Sequence, residues 1–381
     1  MQERGVERLE VLGFTSIVDA VVDFGPLNIL IGANGAGKSN LVRVLELLGR
    51  IVDEDLQVHV ARSGRASAMV NASMAEKHIQ LTVHGHSGGI ENRYRNHLVP
   101  GNDGDLFFID EHIYHRQPEY ETWWNHSIDS GHRETKLHAT VAARGRGQAV
   151  SSYVVDTLRG CRVYHFHDTS SDAPVKGFVL RADNLALRPD AANLAAVLAA
   201  LASDEQGAGG IAFRRISGAV RQVAPFFRDF VLRPDHDDRI QLRWREIGSD
   251  AVFSAHQMSD GTLRFVCLAT LLLQPALPPL VVLDEPELGL HPYAIVQLAD
   301  LLRQAAVRSQ VLIATQSVTL MNQFELADLI VVERVNGGSI FTRPDPVRLE
   351  SWIEEYSLGE LWEKNLIGGR PGSIESSAGG R

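Results

Sequence analysis

Cysteine is nearly absent from this 381-residue sequence: Cys161 and Cys267 are the only two, and they stand far apart. That excludes a disulfide framework or a thiolate metal site and fits a reducing compartment. Lysine is scarce too, at five positions against 32 arginines, which we read as the mark of a GC-rich bacterial genome rather than of function. No run of 18 apolar residues occurs, so no transmembrane helix is expected, and with it no membrane partner. The start, Met1-Gln2-Glu3-Arg4-Gly5, is polar and lacks a signal-peptide pattern, so the expected location is cytoplasmic. Basic excess is missing: the net charge is −10, and bulk electrostatics do not favour nucleic acid or an anionic membrane as partner. Nor is there a heptad pattern long enough for a coiled-coil arm, which argues against long-range DNA tethering. What remains is 44% apolar, enough for a large core in one big domain or two.

The most specific stretch present is Gly32-Ala33-Asn34-Gly35-Ala36-Gly37-Lys38-Ser39, which fits the phosphate-binding pattern G-x-x-x-x-G-K-[ST] at every fixed position. The apolar run Leu27 to Ile31 before it reads as a buried parallel strand. Asn40 to Leu48 after it reads as a helix with Leu41, Val44, Leu45 and Leu48 on one face. Glycines let backbone N–H groups point at phosphate oxygens where a Cβ would obstruct, and the helix start adds its positive dipole end. Lys38 can then reach the β- and γ-phosphates and the Ser39 hydroxyl can ligate Mg²⁺. An ordinary glycine turn is the competing reading, and the flanking strand and helix count against it.

Downstream, Pro278 to Glu287 reads as an apolar strand ending in two acids, Asp284 and Glu285. A P-loop enzyme needs an acid at a strand end to hold Mg²⁺, the position of Asp284, while Glu285 would orient and deprotonate an attacking water. Asp-Glu-Pro alone would be a turn. Met258 to Arg264 opens an apolar helix, Leu263 to Leu273, with Ser259 and Gly261 at its start as a second anion site; the economical explanation is that it caps the nucleotide of another copy. Gln310 to Ser317 is a further strand that would place Gln316 beside the γ-phosphate. Each of these last two is weak alone and would ordinarily be a helix cap or turn; their order around Asp284 is what makes them informative.

With these motifs in place, the chain resembles ABC-type ATPases of the SMC/RecF-like branch, close to stand-alone bacterial ATPases labelled AAA family or OLD-like. The matching pieces are Phe14 to Ile17 in an N-terminal strand pair, Gly32 to Ser39, Ser259-Asp260-Gly261-Thr262 as signature, Asp284-Glu285-Pro286-Glu287, Gly289-Leu290-His291-Pro292 as D-loop, and Thr315-Gln316-Ser317 as switch. Tyr164 to Asp168 and Tyr356 to Trp362 also resemble that group, so the likeness runs from about residue 5 to 368. It implies an ATP-driven head-to-tail homodimer, each ATP held between one P-loop and the partner's signature. Thr15 stands where relatives often carry Lys or Arg, and Gln316 replaces a switch His. Gln donates a hydrogen bond but carries no charge, so slow hydrolysis is expected. Gln80 is the candidate for the glutamine that contacts metal and water.

The expected fold is α/β, a P-loop NTPase of ABC-ATPase head type, with a mixed sheet, an antiparallel part and an inserted helical lobe. Residues 1–180 are read as the N-terminal part of the nucleotide-binding lobe, 181–275 as the helical lobe ending in the signature helix, 276–345 as the C-terminal part, and 346–381 as a C-terminal helix and flexible tail. Alternating segments between 75 and 115 suggest the antiparallel sheet. Ala191 to Ser203 and Ile211 to Phe227 suggest two helices around a flexible Gln206 to Gly210, and the tail after Gly368 reads as disordered. Basic stretches at Arg133, Lys136, Arg144 and Arg146 and at Arg214, Arg215, Arg221 and Arg228 read as solvated faces. Eight of the fifteen histidines fall between His84 and His138, but Glu111-His112-x-x-His115 is not a zinc motif. His165 and His167 read as alternating on a strand. Trp123-Trp124 can stack on bases, although packing is the plainer reading.

The functional expectation is ATP and Mg²⁺ bound by Gly32 to Asn40, with Lys38, Glu285 and Gln316 as the catalytic groups. ATP hydrolysis would control an effector protein from a neighbouring gene in a bacterial anti-phage defence or DNA-related system. A nucleotide-gated scaffold with little turnover, and a RecF-like repair clamp, are the alternatives; the clamp would need a basic DNA surface that the composition does not show.

Overall fold

The computed structural model describes residues 4–87, 89–117, 119–120, 122–142, 147–159, 161–353 and 355–369. Arg144, Arg146 and the tail from residue 370 lie outside the described residues. The chain forms two compact units, one of Val6–Val155 with Ala314–Arg381, the other of Met1–Gly5 with Asp156–Ile313.

In the first unit a six-stranded sheet runs in the order Ile17–Asp23, Arg4–Phe14, Ile79–Ser87, Ile90–Pro100, Leu106–Arg116, Trp124–Asp129. Its last four strands pair antiparallel, as the alternation between 75 and 115 leads one to expect. Along Ile90–Pro100, Asn92, Tyr94, Asn96 and Leu98 are buried while their neighbours are half-exposed, the period-2 pattern of a sheet with one covered face. Histidines fill part of the sheet by pairing with carboxylates: His84 Nε2 lies 2.9 Å from Glu10, His86 Nδ1 2.6 Å from Glu7 and His112 Nε2 2.5 Å from Asp110. Burial is the main cause that pulls the His84 and His97 pKa values down. No group of three or more His, Cys, Asp or Glu able to hold a metal occurs among the described residues. Gln80 sits in the strand Ile79–Ser87 opposite His97.

The same unit holds Leu27–Ile31, every residue of which is buried. It pairs in parallel with Leu329–Val335, which turns back antiparallel onto Gly338–Thr342. The turn is Asn336-Gly337, with φ of 50° and 83°, the two left-handed residues that a tight hairpin needs. Parallel and antiparallel pairing in one sheet makes it mixed. Helix Lys38–Val52 follows the glycine loop and buries Leu41, Val44, Leu45 and Leu48, the face marked by their spacing. Near the C-terminus, Ser357 and Glu360 form a capping box that starts helix Leu358–Glu363. Gly359 donates to Asn322 Oδ1 at 2.6 Å, and a Cβ there would meet Val318 at 2.3 Å. That close approach gives the Tyr356 to Trp362 segment its glycine. Gly369, expected to be in the free tail, donates to Glu333 at 2.9 Å.

In the second unit Leu280–Asp284 pairs in parallel with Cys161–Tyr164, and the helices Asp260–Leu273 and Pro292–Ala306 flank the motif loops. The stretch expected to be a helical lobe departs from expectation. Its helices are Leu194–Ser203 and Ala208–Val223, and an antiparallel sheet of Phe227–Phe230, Arg243–Glu246 and Val252–Ser254 follows. Ala191 is left-handed, with φ of 56°, so the first helix starts three residues late. The glycines read as a flexible linker belong to a helix start: Gly209 N donates to Asp204 Oδ2 at 2.8 Å, and a Cβ on Gly210 would meet Asp204 O at 2.5 Å. Close packing, not freedom, needs them. His165 and His167 lie beyond the strand Cys161–Tyr164, not on it.

Candidate functional site

The glycine loop is built by conformations and approaches that only glycine permits. Gly32, Gly35 and Gly37 have φ of 155°, 76° and 118°, a region L-residues rarely enter. A Cβ on Gly32 would lie 2.2 Å from Val332 O, and one on Gly37 2.1 Å from Ser339 Oγ. Gly35 differs: a Cβ there meets nothing within 4 Å. The loop therefore packs tightly at both ends and opens in the middle.

Lys38 starts the helix, is only 6% exposed, and donates from Nζ to Gly32 O at 2.6 Å and Ala33 O at 3.1 Å. Its ammonium is thus held against the loop backbone. Asn34, Gly35 and Ser39 are exposed, so the open part of the loop and the Ser39 hydroxyl face outward. The Ser39 hydroxyl is a hard oxygen donor, of the kind that suits Mg²⁺.

A polar girdle that the motif does not include fixes the loop. Asn40 Nδ2 donates to Ser16 Oγ at 2.7 Å, Ser16 and Ser339 share a hydroxyl–hydroxyl bond of 2.6 Å, and Ser339 Oγ donates to Ala36 O at 2.6 Å. Ser16 lies in the tip between strands Arg4–Phe14 and Ile17–Asp23, where Thr15 takes φ of 46°. Phe14 to Ile17 thus serves as a brace for the loop. Thr15 brings no cation, and Arg334 Nη1 lies 3.5 Å from Gly35 O. The switch segment belongs to this unit too: Thr315 N donates to Leu30 O at 3.0 Å, beside the strand that leads into the loop. Gln316 follows, exposed, and Ser317 caps the short helix Val318–Met321.

In the second unit the acid strand ends at Asp284, and Glu285 has φ of 44°. A left-handed glutamate costs of order 1–3 kcal/mol and persists only where its surroundings hold it, a pattern frequent at functional sites. His167 Nε2 donates to Asp284 O at 2.8 Å, which fixes the tautomer and braces the strand end. Arg264, on the signature helix, reaches back with Nη1 to Leu288 O at 2.7 Å and Nη2 to His167 O at 2.8 Å. Gly261 and Gly289 pack together, since a Cβ on Gly261 would sit 2.7 Å from Gly289 O. The segments Ser259 to Arg264, Asp284 to Leu288 and Gly289 to Pro292 are therefore one packed assembly within this unit.

Ser259 is the N-cap of Asp260–Leu273, accepting from Thr262 N at 3.3 Å and exposed at the surface. Asp260 lies 3.8 Å from Lys176 Nζ, a lysine only 6% exposed that donates to Thr169 O at 2.6 Å. Sequence reasoning missed Ser16, Ser339, His167, Arg264 and Lys176 as supports. Their partners are mostly backbone groups distant along the chain, which leave no local pattern; the contact of His167 with Asp284 spans 117 residues.

Fold and loop together define a P-loop ATPase fold of SMC-head type. The chain belongs to the family described as "AAA domain, putative AbiEii toxin, Type IV TA system", whose model matches residues 27–322. It is similar in fold to a solved SMC head bound to the C-winged helix domain of ScpA, at TM-score 0.59 and 19% identity over 92% of this chain and 99% of that one. It is also similar to the Pyrococcus furiosus Smc head with an extended coiled coil bound to the C-terminal domain of ScpA, at 0.58 and 16% over 92% and 99%. The Pyrococcus yayanosii Smc head with a coiled coil and joint gives 0.53 and 14% over the same shares. No curated protein matches the chain. Among the described residues no helix is long and apolar enough to cross a membrane.

Proposed function

We propose that this chain is an ATPase that works in the bacterial cytoplasm as an ATP-dependent homodimer. The observation that carries the reading is the loop itself, with left-handed glycines around an opening and the buried Lys38 ammonium held against its backbone. Backbone N–H groups of Gly32 to Asn40 would hold the phosphates, and Lys38 would neutralise charge that grows on the transferred phosphoryl group. Ser39 and Asp284 would hold Mg²⁺, which when bound neutralises phosphate charge. Glu285 would orient the attacking water and accept its proton. Gln316 would donate a neutral hydrogen bond, the support for a slow rate. Ser259 and Gly261 would cap the nucleotide of the other copy.

The role we assign to turnover is control of an effector protein encoded nearby, in a defence setting. The family's description in terms of a type IV toxin–antitoxin system supports this, and SMC heads solved with ScpA show that this fold can carry a protein partner. Calorimetry and a phosphate-release assay on three proteins test the enzymatic reading. Wild type should bind and hydrolyse ATP. Lys38→Ala should lose binding while remaining folded. Glu285→Gln should keep binding and lose turnover by about a hundredfold or more. Unchanged affinity in Lys38→Ala, or wild-type turnover in Glu285→Gln, would move the site elsewhere.

A further inference from the structure

The six-stranded sheet of the first unit carries a second cleft, of about 850 Å³, whose lining runs from Ile90 to Tyr153 and includes no residue of the glycine loop. That volume lies within the range of small-molecule sites, roughly 300–1,000 Å³. Trp123, Trp124, Tyr120 and Tyr153 bring aromatic rings to its wall, and Asn92 and Gln117 bring amides. No Asp, Glu, Lys or Arg is among its described lining residues. The described wall is aromatic and amide in character. It suits a neutral planar ring with hydrogen-bonding edges.

The indoles are braced before any ligand arrives. Trp123 lies under the guanidinium groups of Arg93 at 4.4 Å and Arg116 at 5.1 Å. Trp124 sits 4.7 Å from the His115 ring and parallel to His126 at 5.5 Å. Asn92 is 4% exposed and Tyr153 8%, so one amide and one phenol are held in position by packing. Fixed rings lose little freedom on binding. Stacking on aromatic faces, with amides that pair to ring edges, is the chemistry that takes up an unpaired base.

We propose that this cleft binds an unpaired nucleobase, independently of the ATP site. Of the nearby cations, Arg116 is paired with Glu91 at 2.6 Å and Arg95 with Asp110 at 2.7 Å, while Arg93 lies 4.4 Å over the Trp123 ring. Stacking on the rings is then the main source of affinity, and binding should depend less on salt than backbone-driven binding does. The base comes either from a free nucleoside or nucleotide or from a single strand, and competition separates the two.

The test uses the full chain carrying Lys38→Ala, which silences the glycine loop, and a 5′-hydroxyl oligodeoxynucleotide of about 12 residues containing 5-iodouracil. Photo-cross-linking followed by mass spectrometry should map to Trp123, Trp124 or Tyr120, with unlabelled single strand competing and duplex not. Competition by adenosine or uridine would assign the source to free nucleosides; competition by oligonucleotide alone would assign it to single strands. Trp123→Leu and Trp124→Leu should each weaken binding by about fivefold to a hundredfold. Cross-links that map elsewhere, no cross-link at all, or capture of an aromatic peptide without any base binding would overturn the proposal. The mapping needs no substitution in the cleft, so it stands even if a tryptophan variant fails to fold.

Discussion

Glu285 and Lys38 show how differently single residues reveal themselves. Both are legible from sequence, because a chemical role fixes the residue type and its spacing from a strand or helix end. The left-handed backbone of Glu285, φ 44°, is not legible, since nothing in Asp-Glu-Pro announces it. His167 and Arg264 were equally hidden, as they act by donating to carbonyls that every residue possesses. The two cysteines give a prediction at this scale. Each is 2% exposed, and burial pushes both thiols up to about 12. Only the thiolate reacts, so neither should react with a thiol reagent in native protein near pH 8 within hours, and both should react promptly in denaturant. Rapid labelling of folded protein would contradict the packing around the signature helix, on which Cys267 sits.

Among elements, legibility follows the strength of the periodic pattern. The unbroken apolar strand Leu27–Ile31 stands where the sequence puts it, Leu280–Asp284 lies within the stretch Pro278 to Glu287 read as a strand, and helix Lys38–Val52 contains the stretch Asn40 to Leu48 read as a helix. The sheet strands of Phe227–Phe230 and Arg243–Glu246 are not legible, because four-residue segments with two and three half-buried positions carry almost no periodic signal. Gly207 to Gly210 misled for a physical reason. Glycine serves flexibility and close packing alike, and only the neighbours, here Asp204 and Glu205, decide which.

The pairing of Gly261 with Gly289 makes the signature helix start and the D-loop one element in practice. Gly261→Val would drive Cβ toward Gly289 O, 2.7 Å from its ideal position, and displace the D-loop that Arg264 also holds. Turnover should fall by more than about tenfold, because misplacement near the chemistry by an ångström is that costly. ATP affinity at the glycine loop of the other unit should stay within about twofold. Parallel calorimetry and rate measurements check this; equal loss of binding and rate would show that the two motif sets are not separable in this way.

At the scale of the whole molecule, each unit carries part of the proposed machinery: Gly32 to Ser39 and Gln316 in one, Asp284, Glu285, Ser259 to Thr262 and Gly289 to Pro292 in the other. This division follows from a chain that leaves the first unit after Val155 and returns at Ala314, which sequence motifs spaced some 245 residues apart could suggest but not delimit. Ser259 is exposed at a helix start, where it is available to a second copy. A closed homodimer formed through such surfaces has two equivalent composite sites. Mixing Ser259→Arg with Glu285→Gln, each inactive alone, should then restore activity. The mixed dimer has one site built from the loop and Glu285 of the first variant and the signature of the second. With free exchange, half the dimers are mixed and each has one sound site, so about a quarter of the wild-type rate is expected.

The most direct measurement is the mass in solution of Glu285→Gln by light scattering, with and without Mg-ATP. The account predicts a shift from one chain to two when ATP is added, retained because the nucleotide is not cleared, and abolished by adding Ser259→Arg to the same chain. A protein that binds ATP, stays at the mass of one chain, and in its wild-type form hydrolyses ATP at a rate per chain independent of concentration would contradict it.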